Sequence, residues 1–190
     1  TAFGKVARGK GLGRDGARAG DELWATGTIG DGALGLLAAR GRLRGVSARE
    51  CAALDLRFRL PQPRGALGRR LVGIASAAAD VSDGLLADSG HIADASGLAV
   101  EIERDALPLS TAARKALAAT PALWAKILGG GDDYELVIAV PPRRREALLA
   151  AARAAKVKMT RLGRFTRGEG VRLTVGGKPA PAPRKGYVHF

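Results

Sequence analysis

Two short segments concentrate the residue types that do chemistry. Asp80-Val81-Ser82-Asp83-Gly84 and Gly129-Gly130-Gly131-Asp132-Asp133-Tyr134-Glu135 each set carboxylates at a sharp backbone break beside an apolar run. Asp80 and Asp83 stand three residues apart across a strand-to-helix junction, so both carboxylates can face the mouth of the helix. Mg2+ takes one or two carboxylates in such a place and completes its shell with water and phosphate oxygens. The Ser82 hydroxyl can donate to a phosphate, and free N–H groups of the first helical turn add a positive end aimed at the same spot. The same residues also suit a plainer duty, with Asp83 or Ser82 serving as the helix cap. In the second segment the glycines let the backbone approach a ligand closely. Asp132 and Asp133 stand at the mouth of a strand, a common place for ligand sites in α/β folds. A carboxylate there suits a metal or a cationic substrate group; the alternative is a flexible turn with two exposed acids. Asp88 reads as solvent-facing, Tyr134 as strand packing, Glu135 as a surface residue and His91 as structural.

The elements that must position these segments follow from periodicity. Residues 22–27 read as a short strand and 33–41 as an Ala/Leu-rich helix. A second helix over 47–56 opens on Ser47 with Glu50 three residues on, the pattern of a capping box. Apolar periodicity returns at 65–75, and 77–81 is an extended run of small residues leading into the first acidic segment. Residues 84–95 are helical, with Leu85, Leu86, Gly90 and Ala93 as the packed face and Gly97 as the stop. A half-buried strand follows at 98–103, a helix capped by Ser110 runs to 118, and another covers 121–127. YELVIAV (134–140) is the clearest strand, broken by Pro141-Pro142. A helix over 143–155, strands near 158–165 and 171–175, a hairpin turn at Gly176-Gly177 and a Pro-rich tail complete the chain. Thr1–Gly4 reads as the tail of a further strand. Interspersed strands and helices predict an α/β (α+β) fold, a mixed β-sheet covered by helices.

Composition narrows the function classes. A chain of 190 residues, 46% hydrophobic, can bury a core of ordinary size. No apolar stretch approaches the ~20 residues of a membrane span, and nothing resembles a secretory signal. The single cysteine, Cys51, permits no internal disulfide and fits a reducing cytoplasm; its Ala and Leu neighbours make it a small core residue. The net charge of +13 comes from 31 basic residues, 23 of them Arg. Arg143-Arg144-Arg145 has no aromatic interleaving for base stacking, so a solvated helix face or a field that attracts an anionic substrate is favoured over specific nucleic-acid binding. The chain has no P-loop, no GxGxxG after a strand, no HExxH and no nucleophile triad.

Taken together, AAADVSDGLLADSGHIADASGLAVEIERDALPLS (77–110), GGGDDYELVIAVPP (129–142), GKGLGRDGARAGDELWATGTIGDGALGLL (9–37) and GYVHF (186–190) resemble the thiamine-monophosphate kinase family. DxSDG-like segments also occur in related ATP-using synthetases that make aminoimidazole ribonucleotide or selenophosphate, or mature hydrogenases. The resemblance implies the C-terminal-domain fold of aminoimidazole-ribonucleotide synthetase. It implies transfer of the ATP γ-phosphoryl group directly to the phosphate of thiamine monophosphate, with Mg2+. By position it makes Asp80 and Asp83 metal ligands, Ser82 and Arg14 contacts to ATP phosphate, Asp132 a contact to the thiamine moiety and Tyr187 an aromatic that stacks on the substrate, with Phe190 a further candidate. No side chain is expected to act as a covalent catalyst. The family's N-terminal lobe has no counterpart in these residues, so 1–22 reads as an inter-lobe segment and 23–190 as the C-terminal domain. The resemblance further implies a homodimeric whole enzyme, with weak binding and little turnover by this portion alone.

Overall fold

A computed structural model describes residues 5–6, 8–9 and 11–183. The expected strand tail at Thr1–Gly4 and the GYVHF segment, with Tyr187 and Phe190, lie outside the described residues. In chain order the elements are β1 (Glu22–Thr26), α1 (Asp31–Ala39), α2 (Ala48–Arg59), α3 (Gly65–Gly68), β2 (Ala77–Asp80), α4 (Leu85–Ala95), β3 (Ala99–Glu103), α5 (Thr111–Ala119), α6 (Trp124–Gly129), β4 (Leu136–Val140), α7 (Arg145–Ala154), β5 (Met159–Thr166), β6 (Gly170–Val175) and β7 (Lys178–Ala180). The strands form one sheet in the order β2-β4-β1-β5-β3-β6-β7. Among the described residues only β3 and β6 run parallel; the other neighbours are antiparallel. The mixed sheet covered by helices is therefore as expected.

Both faces of the sheet are covered, and strand alternation decides which residue serves which face. In β1, Leu23 and Ala25 join the larger core with α1, α4, α5 and α6, whereas Trp24 points to the other side. In β4, Val137 and Ala139 follow the first group; Ile138 and Val140 pack with Leu148 and Ala152 of α7 and with Leu67 and Leu71. This two-sided burial explains why LVIAV is apolar throughout.

Local chemistry sets the helix ends. Ser47 and Glu50 form the expected capping box, and Ser110 Oγ accepts from the Ala113 N–H at 3.1 Å. The expected packed face of α4 is buried, with Gly90 against Val171. Three sequence expectations change. The apolar residues of 65–75 form one short helical turn followed by further turns. The Pro-rich tail contains β7, paired with β6 around Gly176 and Gly177, both at positive φ as a tight hairpin requires. Cys51 is half-buried on α2 rather than a core residue. No helix among the described residues is long and apolar enough to cross a membrane.

Candidate active site

The edge strand β2 ends at Asp80, and the chain turns through Val81-Ser82-Asp83-Gly84 into α4. One carboxylate fixes that turn: Asp88 Oδ2 accepts from the N–H groups of Ser82, Asp83 and Gly84, each at 3.0 Å. Asp88 is therefore buried and structural, not solvent-facing, and the desolvation of burial raises its pKa. These three donors are already taken, but all of them precede the first residue of α4, and the N–H groups of Leu85, Leu86 and Ala87 in its first turn are not among them. Gly84 adopts φ 116, which brings its backbone against Gly129.

The second acidic segment lies directly on the first. Asp132 N–H donates to Ser82 O at 3.1 Å, Tyr134 N–H to Val81 O at 2.9 Å and Val81 N–H to Glu135 O at 2.8 Å. Gly131 permits this approach, since a Cβ there would overlap the Ser82 carbonyl. Two segments roughly fifty residues apart in sequence thus form one backbone-bonded unit. Asp132 and Tyr134 both take left-handed backbone conformations, φ 67 and φ 49, and so β4 begins at Leu136 instead of Tyr134. The Tyr134 hydroxyl lies 3.3 Å from Asp132 Oδ1.

The other two acids of the segment face inward. Asp133 is 1% exposed and accepts from Gly30 N–H at 2.6 Å and Gly32 N–H at 2.8 Å, tying the loop to the start of α1. Glu135, expected at the surface, is also 1% exposed. It accepts from Thr26 Oγ1 at 2.6 Å, Arg57 Nη2 at 3.0 Å and Arg64 Nε at 2.6 Å. Sequence reading missed both roles because their partners lie 71 to 109 residues away.

Burial pushes the Asp133 carboxyl up to about 7, helped by the charge of Asp31 and opposed by the Gly30 and Gly32 N–H groups and Arg57. A raised folded-state value means that, between the ordinary carboxylate range and about pH 7, the native chain holds a proton the unfolded chain has lost. Stability from this group therefore falls as pH rises through that window. Urea denaturation is expected to show a loss of order 1–4 kcal/mol between pH 5 and pH 8, flattened in Asp133→Asn. An equally steep profile in the variant would assign the dependence to another group.

Of the residues singled out by sequence, Ser82, Asp83 and Asp132 sit in the joined unit, and Asp80 immediately precedes it. Arg14 is exposed but close to Asp80: Gly13 O accepts from Ala78 N–H at 3.0 Å, and Arg14 and Asp80 line one groove of ≈ 360 Å³. Asp83, Asp88 and His91 each place a ligand atom within 4.8 Å of the others. Asp88 Oδ1 is buried with no hydrogen-bond partner. Two carboxylates and one imidazole make a mixed oxygen–nitrogen set with the chemistry to hold a divalent cation. Part of the basic load lies elsewhere: Arg18, Arg143 and Arg144 line a separate cleft beside Ser76, near the opposite end of β2, while Arg145 pairs with Glu22.

The mixed sheet and its paired acidic loops define a class. Residues 18–176 match the family described as AIR synthase related protein, C-terminal domain, and the chain belongs to that family. Among individual proteins it is 43% identical to the thiamine-monophosphate kinase of Caulobacter vibrioides, over 100% of this chain and 53% of that one. The crystal structure of thiamine-monophosphate kinase from Stenotrophomonas maltophilia K279a superposes with a TM-score of 0.81 at 42% identity, over 92% of this chain and 56% of that one. AaThiL complexed with AMPPCP and TMP gives 0.77 at 34% identity, covering 94% and 54%. Escherichia coli HypE is more distant, at 0.69 and 27% over 91% and 53%. The chain spans about half the length of the curated relatives it matches.

Proposed function

We propose that this chain is the C-terminal part of an ATP-dependent kinase that converts thiamine monophosphate to thiamine diphosphate. The observation that carries the reading is the backbone union of the two acidic segments, which gathers Ser82, Asp83 and Asp132 beside the end of β2. The likeness to a protein solved with AMPPCP and TMP supports it. In this reading Asp80 and Asp83 hold Mg2+, Ser82 and Arg14 contact ATP phosphate, Asp132 contacts the thiamine moiety and Tyr187 stacks on the substrate. Mg2+, when bound, neutralises charge between two mutually repelling phosphate groups. The protein's own task is positioning, because phosphoryl transfer between phosphates needs no covalent intermediate on the chain. Residues 1–22 join the domain to a preceding lobe, and the whole enzyme is a cytoplasmic homodimer.

Calorimetric titration of this chain with thiamine monophosphate, and separately with Mg-AMPPCP, tests the reading. Weak but saturable binding of both is expected for this portion alone, with Asp83→Ala weakening Mg-AMPPCP about 10-fold or more, as loss of a charge-assisted contact predicts. Binding of a carbamoyl or selenide substrate in place of thiamine monophosphate, or of Mg-AMPPCP with no thiamine monophosphate at millimolar concentration, would overturn it in favour of a sister synthetase.

A further inference from the structure

Tyr134 occupies a conformation that its residue type resists. A bulky side chain at φ 49 is an outlier, and such backbones persist where the surroundings over-determine them and function gains from it. The surroundings here are explicit. Tyr134 N–H is held by Val81 O, the preceding Asp133 is locked to α1, and the following Glu135 is gripped by Arg57 and Arg64. The clamp does not bury the ring. It turns the ring outward, leaving Tyr134 40% exposed, where a core-packing tyrosine would have followed the strand inward.

The exposed phenol is set among carboxylates. Its hydroxyl meets Asp132. Its pKa is raised by burial and then by the negative charges of Asp132, Asp80 and Asp83. An aromatic face beside Asp132 and within the field of Asp80 and Asp83 offers a planar cation two attractions at once, the ring quadrupole and the negative field. It offers an anion neither.

We propose that Tyr134 is a specificity-determining residue that takes a cationic heteroaromatic ring against its phenol face while its hydroxyl orients Asp132. The inference rests on the thiamine-monophosphate reading above, whose thiazolium ring is such a cation.

The test uses Tyr134→Gly and Tyr134→Phe in calorimetric titrations with three probes. These are thiamine monophosphate, the phosphate ester of its free thiazole, whose ring carries no positive charge, and Mg-AMPPCP. Glycine accepts φ 49 without strain, so Tyr134→Gly retains the loop and its melting temperature holds or rises. It is expected to lose about 10-fold in affinity for thiamine monophosphate, with affinities for the other two probes unchanged. Tyr134→Phe keeps the ring and loses about 2- to 3-fold. An unchanged affinity for thiamine monophosphate in Tyr134→Gly, or an equal loss for all three probes, would show a structural role and defeat the proposal. A wild-type chain that binds Mg-AMPPCP but not thiamine monophosphate would instead remove the functional reading on which the proposal stands.

Discussion

Replacing Glu135 by alanine is expected to cost about 3–5 kcal/mol of folding stability, the range for breaking a buried ion pair from one side. Glu135 is 1% exposed and its two oxygens are shared among Thr26, Arg57 and Arg64. Arg57 and Arg64 are themselves mostly covered, at 21% and 16% side-chain exposure. Truncation leaves two guanidinium groups facing a void in low dielectric. Arginine keeps its proton at any working pH, so neither side chain can escape by giving it up. For a chain of this size the loss corresponds to a fall of ~10 °C or more in Tm. Glu135→Gln keeps the shape and some hydrogen bonds and is expected to cost less. Chemical denaturation checks both, and a loss below about 1 kcal/mol for alanine would mean that water replaces the carboxylate.

The second large effect is expected from Gly131→Ala. A Cβ at this position collides with the carbonyl oxygen and carbon of Ser82, which are backbone atoms and not the movable end of a side chain. Neither loop can yield without giving up the Asp132–Ser82 and Tyr134–Val81 hydrogen bonds. The cost in stability is about 1–3 kcal/mol, typical of forced overpacking. The cost in ligand affinity is expected to be larger, because the two acidic segments part. Gly68→Ala is the matching control, with open space around its Cβ and no positive φ. If Gly131→Ala binds thiamine monophosphate and Mg-AMPPCP as the parent does, the contact between the segments is incidental to binding.

Much of this architecture was legible in sequence because its causes are local. The Ser47–Glu50 box, the Ser110 cap and the break at Pro141-Pro142 depend on residues within a few positions of one another. The apolar run of β4 announces burial on both faces. The two acidic segments also stood out, since glycine beside carboxylate is itself a local signal. Their internal division of labour was not legible. In Asp132-Asp133-Tyr134-Glu135, alternate acids go inward, and what draws them in is Gly30, Gly32, Arg57 and Arg64 from elsewhere in the fold. Asp88 misled for a related reason. Helical spacing placed it one turn from the loop, but only the bend at Gly84 turns three amides back toward its carboxylate.

That last contact bears on how the molecule could tell one anion from another. With three consecutive amides fastened to a single internal oxygen, the turn after β2 has its shape before any guest arrives, and binding forfeits little to ordering the chain. The same fastening withdraws the amides of Ser82, Asp83 and Gly84 from any guest, though not those of the first turn of α4. With Asp83 and Asp132 in the joined loops and Asp80 just before them, an anion that arrives with a metal ion is expected to bind better than the same anion bare. In such a turn the cation would serve as the credential for entry.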